Sequence, residues 1–293
     1  MTTVKIDPTD VRAIEPRFES LIQTHLSDNE EVNGWHCTAI DKTGTICLGS
    51  GFGADLETAR RIAIAETMER AVFRRLLKSK ERDIFGLDDH PTSCGFAAGF
   101  DAEQVRLRSI CEAVERWARA IWIDEKLSLQ TTSTRLISQS PLAKYFLAPF
   151  NETLVFSQFF NVFDPIKKKT IQLNFGAVVA LTSDGAFSGC RVCSYNEDPF
   201  EHAALEAWRH YIIFKKHSLP DLSENSFLNR IEYFGTHRIE ALHQIGSTRS
   251  GAWQVPQIIV HEGTEIVPGK VFIWRTLCGG YGRARKILSE QLR

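Results

Sequence analysis

Two stretches of the chain set carboxylates and a guanidinium at helical spacing: Glu66-x-x-Glu69-Arg70 and, 46 residues on, Glu112-x-x-Glu115-Arg116. Residues at i, i+3 and i+4 share one face of a helix, so each stretch presents two negative groups and one positive group together. Carboxylates clustered without a His or Cys beside them suit a hard cation. Mg²⁺ is the leading candidate, since it takes a few protein carboxylates together with phosphate oxygens. Two such cations can clamp a triphosphate while nearby arginines neutralise what remains. The chain contains no Walker A sequence, so a nucleotide site here is not of the P-loop kind. Gly279-Gly280-Tyr281-Gly282-Arg283 is glycine-rich and basic, and is a lesser candidate for a phosphate loop.

The elements that must position these groups repeat as well. Gly49 matches Gly95, Gly53 matches Gly99, Asp55 matches Asp101, Glu57 matches Glu103 and Arg60 matches Arg106. In both copies a glycine-rich corner leads into a long helical stretch, with Asp where an N-cap is wanted. Two related strand–loop–helix units commonly pack about a pseudo-twofold axis, which would bring Glu66, Glu112 or Glu115, and Glu206 to one cleft. On the first helix Glu66 and Arg70 interrupt a stripe of Ala59, Ile62, Ala63, Phe73 and Leu77. Charges in such a stripe are costly unless paired or bound to a ligand. The second helix read alone fits a solvated face better, with Glu112 and Glu115 laced to Arg108, Arg116 and Arg119 by i,i+4 ion pairs, and it is the repeat that points to a shared site.

Elsewhere the patterning predicts an amphipathic helix over 11–27 and a hairpin of Trp35 to Asp41 with Thr45 to Leu48. The helices after the two glycine corners are expected to reach about Lys78 and Lys126. Strands follow at Leu154 to Phe163, Thr170 to Leu181 and Ala186 to Cys193, turning at Asp164-Pro165 and Asp184-Gly185. Asp198-Pro199-Phe200-Glu201 reads as a helix start, with Asp capping, Pro in the first turn and Glu201 reaching back, and the helix runs to about His217. Two strands, Gln257 to His261 and Lys270 to Leu277, come last. Strands and long helices in blocks, not in alternation, predict an α+β fold, taken as a single domain over 1–293.

Composition bounds the function classes. With 35 basic and 36 acidic residues the net charge is −1, which leaves no electrostatic footprint for nucleic acid or an anionic membrane. Short basic runs such as Arg74-Arg75 and Lys167-Lys168-Lys169 read as solvated faces. The polar N-terminus has no apolar core for a signal peptide, and no apolar stretch is long enough to span a bilayer. Seven scattered cysteines fit reduced thiols in a cytoplasmic protein. Cys190 and Cys193 form a CxxC with no second pair to complete a zinc site, and read as two strand thiols.

Three segments together resemble the YcaO family. Gly51-Phe52-Gly53 through Ala65-Glu66-Thr67-Met68-Glu69-Arg70 is similar to its first motif, TSCGFAAGFDAEQVRLRSICEAVERWA from Thr92 to its second, and DPFEHAALEAWRHY from Asp198 to its third. Order and spacing agree over about 45–215. The resemblance implies an ATP- and Mg²⁺-dependent enzyme that phosphorylates a peptide backbone amide oxygen, with azoline or thioamide formation as the outcome. It implies a metal and phosphate shell of Glu66, Glu69, Glu112, Glu115, Glu201 and Glu206, with Arg70 and Arg116 pairing with that shell or the phosphates. Gly53, Gly99, Phe52 and Arg209 fall at positions that would line the nucleotide. The expected partners are a peptide or protein substrate, a partner protein of a modifying complex, and a second copy of the chain in a homodimer.

The sequence departs from the family pattern at named positions. Phe52 stands where a corner lysine is usual, Ile62 for the motif serine, Cys94 and Phe100 for asparagines of the second loop, and Arg209 for glutamine of the third motif. Ser289-Glu290-Gln291-Leu292-Arg293 lacks a proline-rich tail, which favours thioamide over azoline chemistry. The alternative is a non-catalytic YcaO domain serving as a scaffold or substrate-binding subunit.

Overall fold

The computed structural model describes residues 18–25, 35–41, 48–53, 55–88, 91–134, 137, 140–216, 226–246, 248–267, 269 and 271–279. They form two compact units, Met1–Val114 with Ile258–Gly279, and Glu115–Gln257 with Gly280–Arg293. Every strand pair is antiparallel, as the block arrangement of strands and helices leads one to expect.

In the first unit β1 (Phe18–His25), β2 (Trp35–Asp41) and β3 (Leu48–Gly53) make one sheet in that order. Residues 18–25 are therefore strand, not the helix expected over 11–27, whose first part lies outside the described residues. Phe18, Leu21 and Ile22 fit a helical period, but so short an apolar run cannot be told from a strand by period alone. Pairing with β2 from Leu21↔Ala39 to His25↔Trp35 decides it. The glycine-rich corner is likewise strand, since Gly49 to Gly53 pair with Ala39 to Trp35. The hairpin turn at Lys42-Thr43-Gly44 lies outside the described residues.

Helix α1 (Leu56–Leu76) packs on this sheet. Asp55 caps it as expected, its side chain accepting from the Thr58 N–H at 2.8 Å. Its buried face is Ala59, Ala63, Ile64, Met68, Val72 and Leu76, which share a core with Phe96, Ala98, Phe100, Val271 and Ile273. The stripe predicted from Ile62, Phe73 and Leu77 is the half-buried flank of that face. The second sheet of the unit has the order β4 (Phe96–Gly99), β10 (Val271–Cys278), β9 (Ile258–Val267). Arg275 is fully buried there, with its guanidinium 5.0 Å from the Phe96 ring centre and donating to the Phe85 carbonyl at 2.6 Å.

Helix α2 (Ala102–Ile123) opens at Asp101, which accepts from the Gln104 N–H at 2.9 Å. The boundary between the units falls within α2, after Val114. The second unit holds β5 (Gln130–Thr131), α3 (Pro141–Leu147), β6 (Glu152–Asp164), β7 (Lys169–Leu181) and β8 (Ala186–Ser194). Its four strands follow in chain order. The β6–β7 hairpin turns after Asp164, whose carboxylate takes the Ile166 and Lys167 N–H groups at 3.0 Å each. That side-chain capture of the turn backbone is why Asp164-Pro165 reads as a turn. Helix α4 (Phe200–Lys216) packs on β7 and β8, and α5 (Ser226–Thr236) and α6 (Arg238–Gly246) complete the unit.

Candidate functional site

In the first unit the site begins with a strand lying unusually close to a helix. A Cβ on Gly49 would collide with the Ala63 carbonyl of α1, so only glycine lets β3 come so near. The closeness delivers a backbone donor. Ser50 N–H gives a 2.6 Å hydrogen bond to Glu66 Oε2, and Arg70 pairs with Oε1 at 2.5 Å. Glu66 is thus paired on both oxygens, and its side chain is 27 % exposed.

The second unit repeats this arrangement with different residues. A Cβ on Gly189 would collide with the Ala203 carbonyl of α4, and Cys190 N–H gives Glu206 Oε2 a 2.7 Å hydrogen bond. Gly49, Ser50, Ala63, Glu66 and Arg70 correspond one to one, at an offset of 140 residues, to Gly189, Cys190, Ala203, Glu206 and His210. The comparison of the first two helices did not reach this pairing. Its signal is a glycine followed 17 positions later by a glutamate, too sparse to stand out. On the same strand, Val192 N–H donates to Glu115 Oε2 at 3.2 Å. Among the described residues β8 is the last strand of its sheet, and these two glutamates cover N–H groups that no strand pairs.

Electrostatics differ between the two units. Burial pushes the Glu69 carboxyl well above the usual range, and the charges of Glu112 and Glu66 push it further, against the pull of Arg108 and Arg70. Glu69 therefore bears the negative charge of both Glu66 and Glu112. In the second unit burial would raise Glu206, but His210, Arg119, Arg116 and the Cys190 N–H outweigh it and hold the carboxyl below its ordinary value. His210 itself is pushed down by burial against the pull of Glu206, and its Nδ1 lies 2.8 Å from the Ser188 carbonyl.

The remaining predicted positions fall as follows. Glu115 is buried and Glu112 half-buried, so this face of α2 is not the solvated one its charge pattern also allowed. Arg116 and Arg209 are half-buried. Glu201 does not reach back to cap its own helix. It accepts from Ser140 Oγ, which caps α3, while Asp198 accepts from the Phe200 N–H at 2.8 Å. Phe52 is half-buried in β3, and Gly53 and Gly99 end their strands in buried positions. Cys190 and Cys193 are buried strand thiols, and burial raises the Cys193 thiol to about 12. The loop from Gly280 to Arg283 lies outside the described residues.

The donor set is all oxygen, which fits magnesium, and the crowding of Glu69 by Glu66 and Glu112 is charge that a cation would relieve. Among the described residues no three His, Cys, Asp or Glu side chains already form a metal cage. No helix among them is long and apolar enough to cross a membrane.

No known sequence family and no curated protein matches the chain. Solved structures do. The Escherichia coli microcin synthetase McbBCD complex with pro-MccB17 bound superposes with a TM-score of 0.62 at 10 % identity, over 95 % of this chain and 91 % of that one. YcaO from Methanopyrus kandleri bound with AMPPCP and Mg²⁺ gives 0.59 at 11 % identity, over 94 % and 93 %. A heterocyclase in complex with substrate and cofactor gives 0.55 at 11 % identity, over 96 % of this chain and 54 % of that one. The chain has the YcaO fold.

Proposed function

We propose that this protein is an ATP- and magnesium-dependent enzyme that phosphorylates a peptide backbone amide oxygen after, or together with, attack of a nucleophile on the carbonyl carbon, releasing ADP and letting the oxygen leave as phosphate. A substrate Cys, Ser or Thr side chain would lead to an azoline, and sulfide to a thioamide. The observation that carries this reading is the crowding of Glu69 by Glu66 and Glu112 on one unit of a YcaO fold. Neighbours of that fold bind AMPPCP with Mg²⁺ and a precursor peptide, which supports the same ligand classes here.

In this reading Glu66, Glu69, Glu112, Glu115, Glu201 and Glu206 hold the magnesium ions, Arg70 and Arg116 pair with that shell or with the phosphates, and Arg209 lines the nucleotide. Bound magnesium supplies charge neutralisation at the phosphoryl oxygens. The chain's own backbone does the orienting. The N–H groups of Ser50, Cys190 and Val192 each fix one carboxylate oxygen of Glu66, Glu206 and Glu115, and Arg70 holds the second oxygen of Glu66. The enzyme acts in the cytoplasm as a homodimer, with a partner protein of a modifying complex delivering the peptide.

Titration calorimetry with ATP, with and without Mg²⁺, tests the reading. Saturable binding that requires Mg²⁺ and is lost in Glu66→Gln and Glu206→Gln is the expected result. A wild-type protein that binds no ATP under either condition overturns it in favour of a non-catalytic scaffold or substrate-binding subunit. Two departures in the sequence favour that second reading: Phe52 and Ile62 stand where the family motif has lysine and serine.

A further inference from the structure

Strand β6 pairs with β7 along its whole length from Glu152 to Asp164, whereas β5 covers its other side at Phe156 and Ser157. Thr132 N–H donates to the Val155 carbonyl at 2.9 Å, which shows that odd-numbered residues of β6 turn their backbone groups into the β5 lane. Beyond Ser157 that lane holds the N–H and C=O of Phe159, Asn161 and Phe163, with no strand opposite them among the described residues. The Phe159 carbonyl accepts from the side chain of the preceding residue, Gln158, at 3.2 Å. A long open edge is normally guarded by charge, proline or a bulge. Here the outer positions Phe159 and Phe163 are apolar and 46 % and 55 % exposed.

The empty lane opens into a cavity of about 480 Å³ between β6 and the segment 250–256. Trp253 forms its far wall. Its ring packs 5.4 Å from Phe160 and 5.9 Å from Trp117, and its indole N–H donates to the Ser128 carbonyl at 2.9 Å. Gln130, Gln158, Asn161 and Gln254 supply neutral amides, and among the described residues no charged side chain lines the space. A charged occupant would lose water there without gaining a counter-charge. A volume of this size lies in the usual range for ligand sites, roughly 300–1,000 Å³.

We propose that an uncharged, extended peptide segment docks here, adding a strand to β6 over 158–163 and setting one side chain against Phe160 and Trp253. The lane that β5 begins and leaves fixes the occupant as extended backbone, and the uncharged lining fixes it as a neutral sequence. Its identity as part of the substrate peptide rests on the reading under Proposed function. The docking test uses no nucleotide, so the two can fail separately.

The probe is a short fluorescent peptide of alternating serine and valine with neutral ends. Beside it stand the same peptide N-methylated at alternate residues and a version with glutamate for serine. Anisotropy measured without ATP or Mg²⁺ should show binding of the first, with the other two weaker by at least about tenfold. Asn161→Pro removes an edge N–H that β7 does not use and should weaken binding about tenfold. Asn161→Ala keeps that N–H and loses only the side-chain amide, so it should weaken binding clearly less than Asn161→Pro does. Should Asn161→Pro fail to fold, backbone amide exchange of the wild type decides, with peptide-dependent protection expected at Phe159, Asn161 and Phe163. The proposal is overturned by no binding, by equal binding of the N-methylated peptide, or by indifference to Asn161→Pro when that variant folds. It is overturned too if those amides become protected with rising protein concentration in the absence of peptide, which would make the occupant a second copy of the chain.

Discussion

Glu66 illustrates how far a side chain's role depends on what meets its second oxygen. As a lone charge in an apolar stripe it would destabilise the fold, and Glu66→Gln would raise the melting temperature. With Ser50 N–H on one oxygen and Arg70 on the other it is satisfied. Glutamine keeps an acceptor for Ser50 and loses a partly exposed ion pair, so we expect a slightly lower melting temperature, by about 0.2–1 kcal/mol of stability, together with loss of Mg²⁺-dependent ATP binding. Calorimetry and a thermal melt check both, and undiminished ATP binding would remove Glu66 from the metal shell. At Phe52 the outcomes diverge. If the aromatic ring is part of a working nucleotide site, Phe52→Ala weakens ATP binding. If the site has lost its function, Phe52→Lys with Ile62→Ser strengthens it about tenfold, or about 1.4 kcal/mol. A hydrolysis assay on both variants separates the two, and no effect from either places Phe52 outside the site.

At the scale of elements, the glycines at the strand–helix contacts carry the geometry. In each unit one glycine lets a strand lie against a helix so that the next residue's N–H meets a glutamate. Gly189→Ala would have to move β8 off α4, where the added Cβ meets the Ala207 nitrogen at 2.8 Å and the Glu206 Cβ at 2.8 Å. Overpacking of this kind costs about 1–3 kcal/mol. The variant should also lengthen the Cys190–Glu206 hydrogen bond and weaken Mg²⁺-dependent nucleotide binding beyond the stability loss. Gly246→Ala is the control, because a Cβ there meets nothing within 4 Å, and its effect on stability should stay within about 0.5 kcal/mol. Denaturant titrations of the two variants measure the contrast. Equal stability for both would mean that the strand–helix distance is not set by glycine.

Across the whole molecule, the near balance of charge hides carboxyls that resist ionising. Burial raises Asp124 from 3.8 to about 6, against the pull of Arg119 and Arg230. Burial likewise raises Glu69, with Glu112 and Glu66 adding to it. A carboxyl whose folded pKa lies above its unfolded one binds more protons in the folded state, so stability falls as pH rises between the two values. For Asp124 that window runs from 3.8 to about 6. Asp124→Asn should therefore raise the melting temperature at pH 7 and leave it unchanged below pH 3.8. A melting-temperature series across pH for both proteins checks this, and an equal shift at every pH would show that the charge of Asp124 is not the cause.

Sequence by itself determined the elements whose signals are local. Helices Leu56–Leu76 and Ala102–Ile123 follow from apolar period and from Asp55 and Asp101 at their caps. Strands β6, β7 and β8 follow from β-rich runs between Asp164-Pro165 and Asp184-Gly185. The carboxylates of the candidate site were legible too, because i, i+3, i+4 spacing is a property of a single helix. Tertiary structure alone decided what each of those carboxylates touches. Residues 18–25 became strand because β2 offered their backbone a partner, which no window of local sequence contains. The correspondence of Ser50 and Glu66 with Cys190 and Glu206 arose in the same way. Each pair is 16 residues apart in sequence and joined by a hydrogen bond across a strand–helix contact. Such a bond forms only when a glycine lets two packed elements approach, and that approach is a property of the packing and not of either segment.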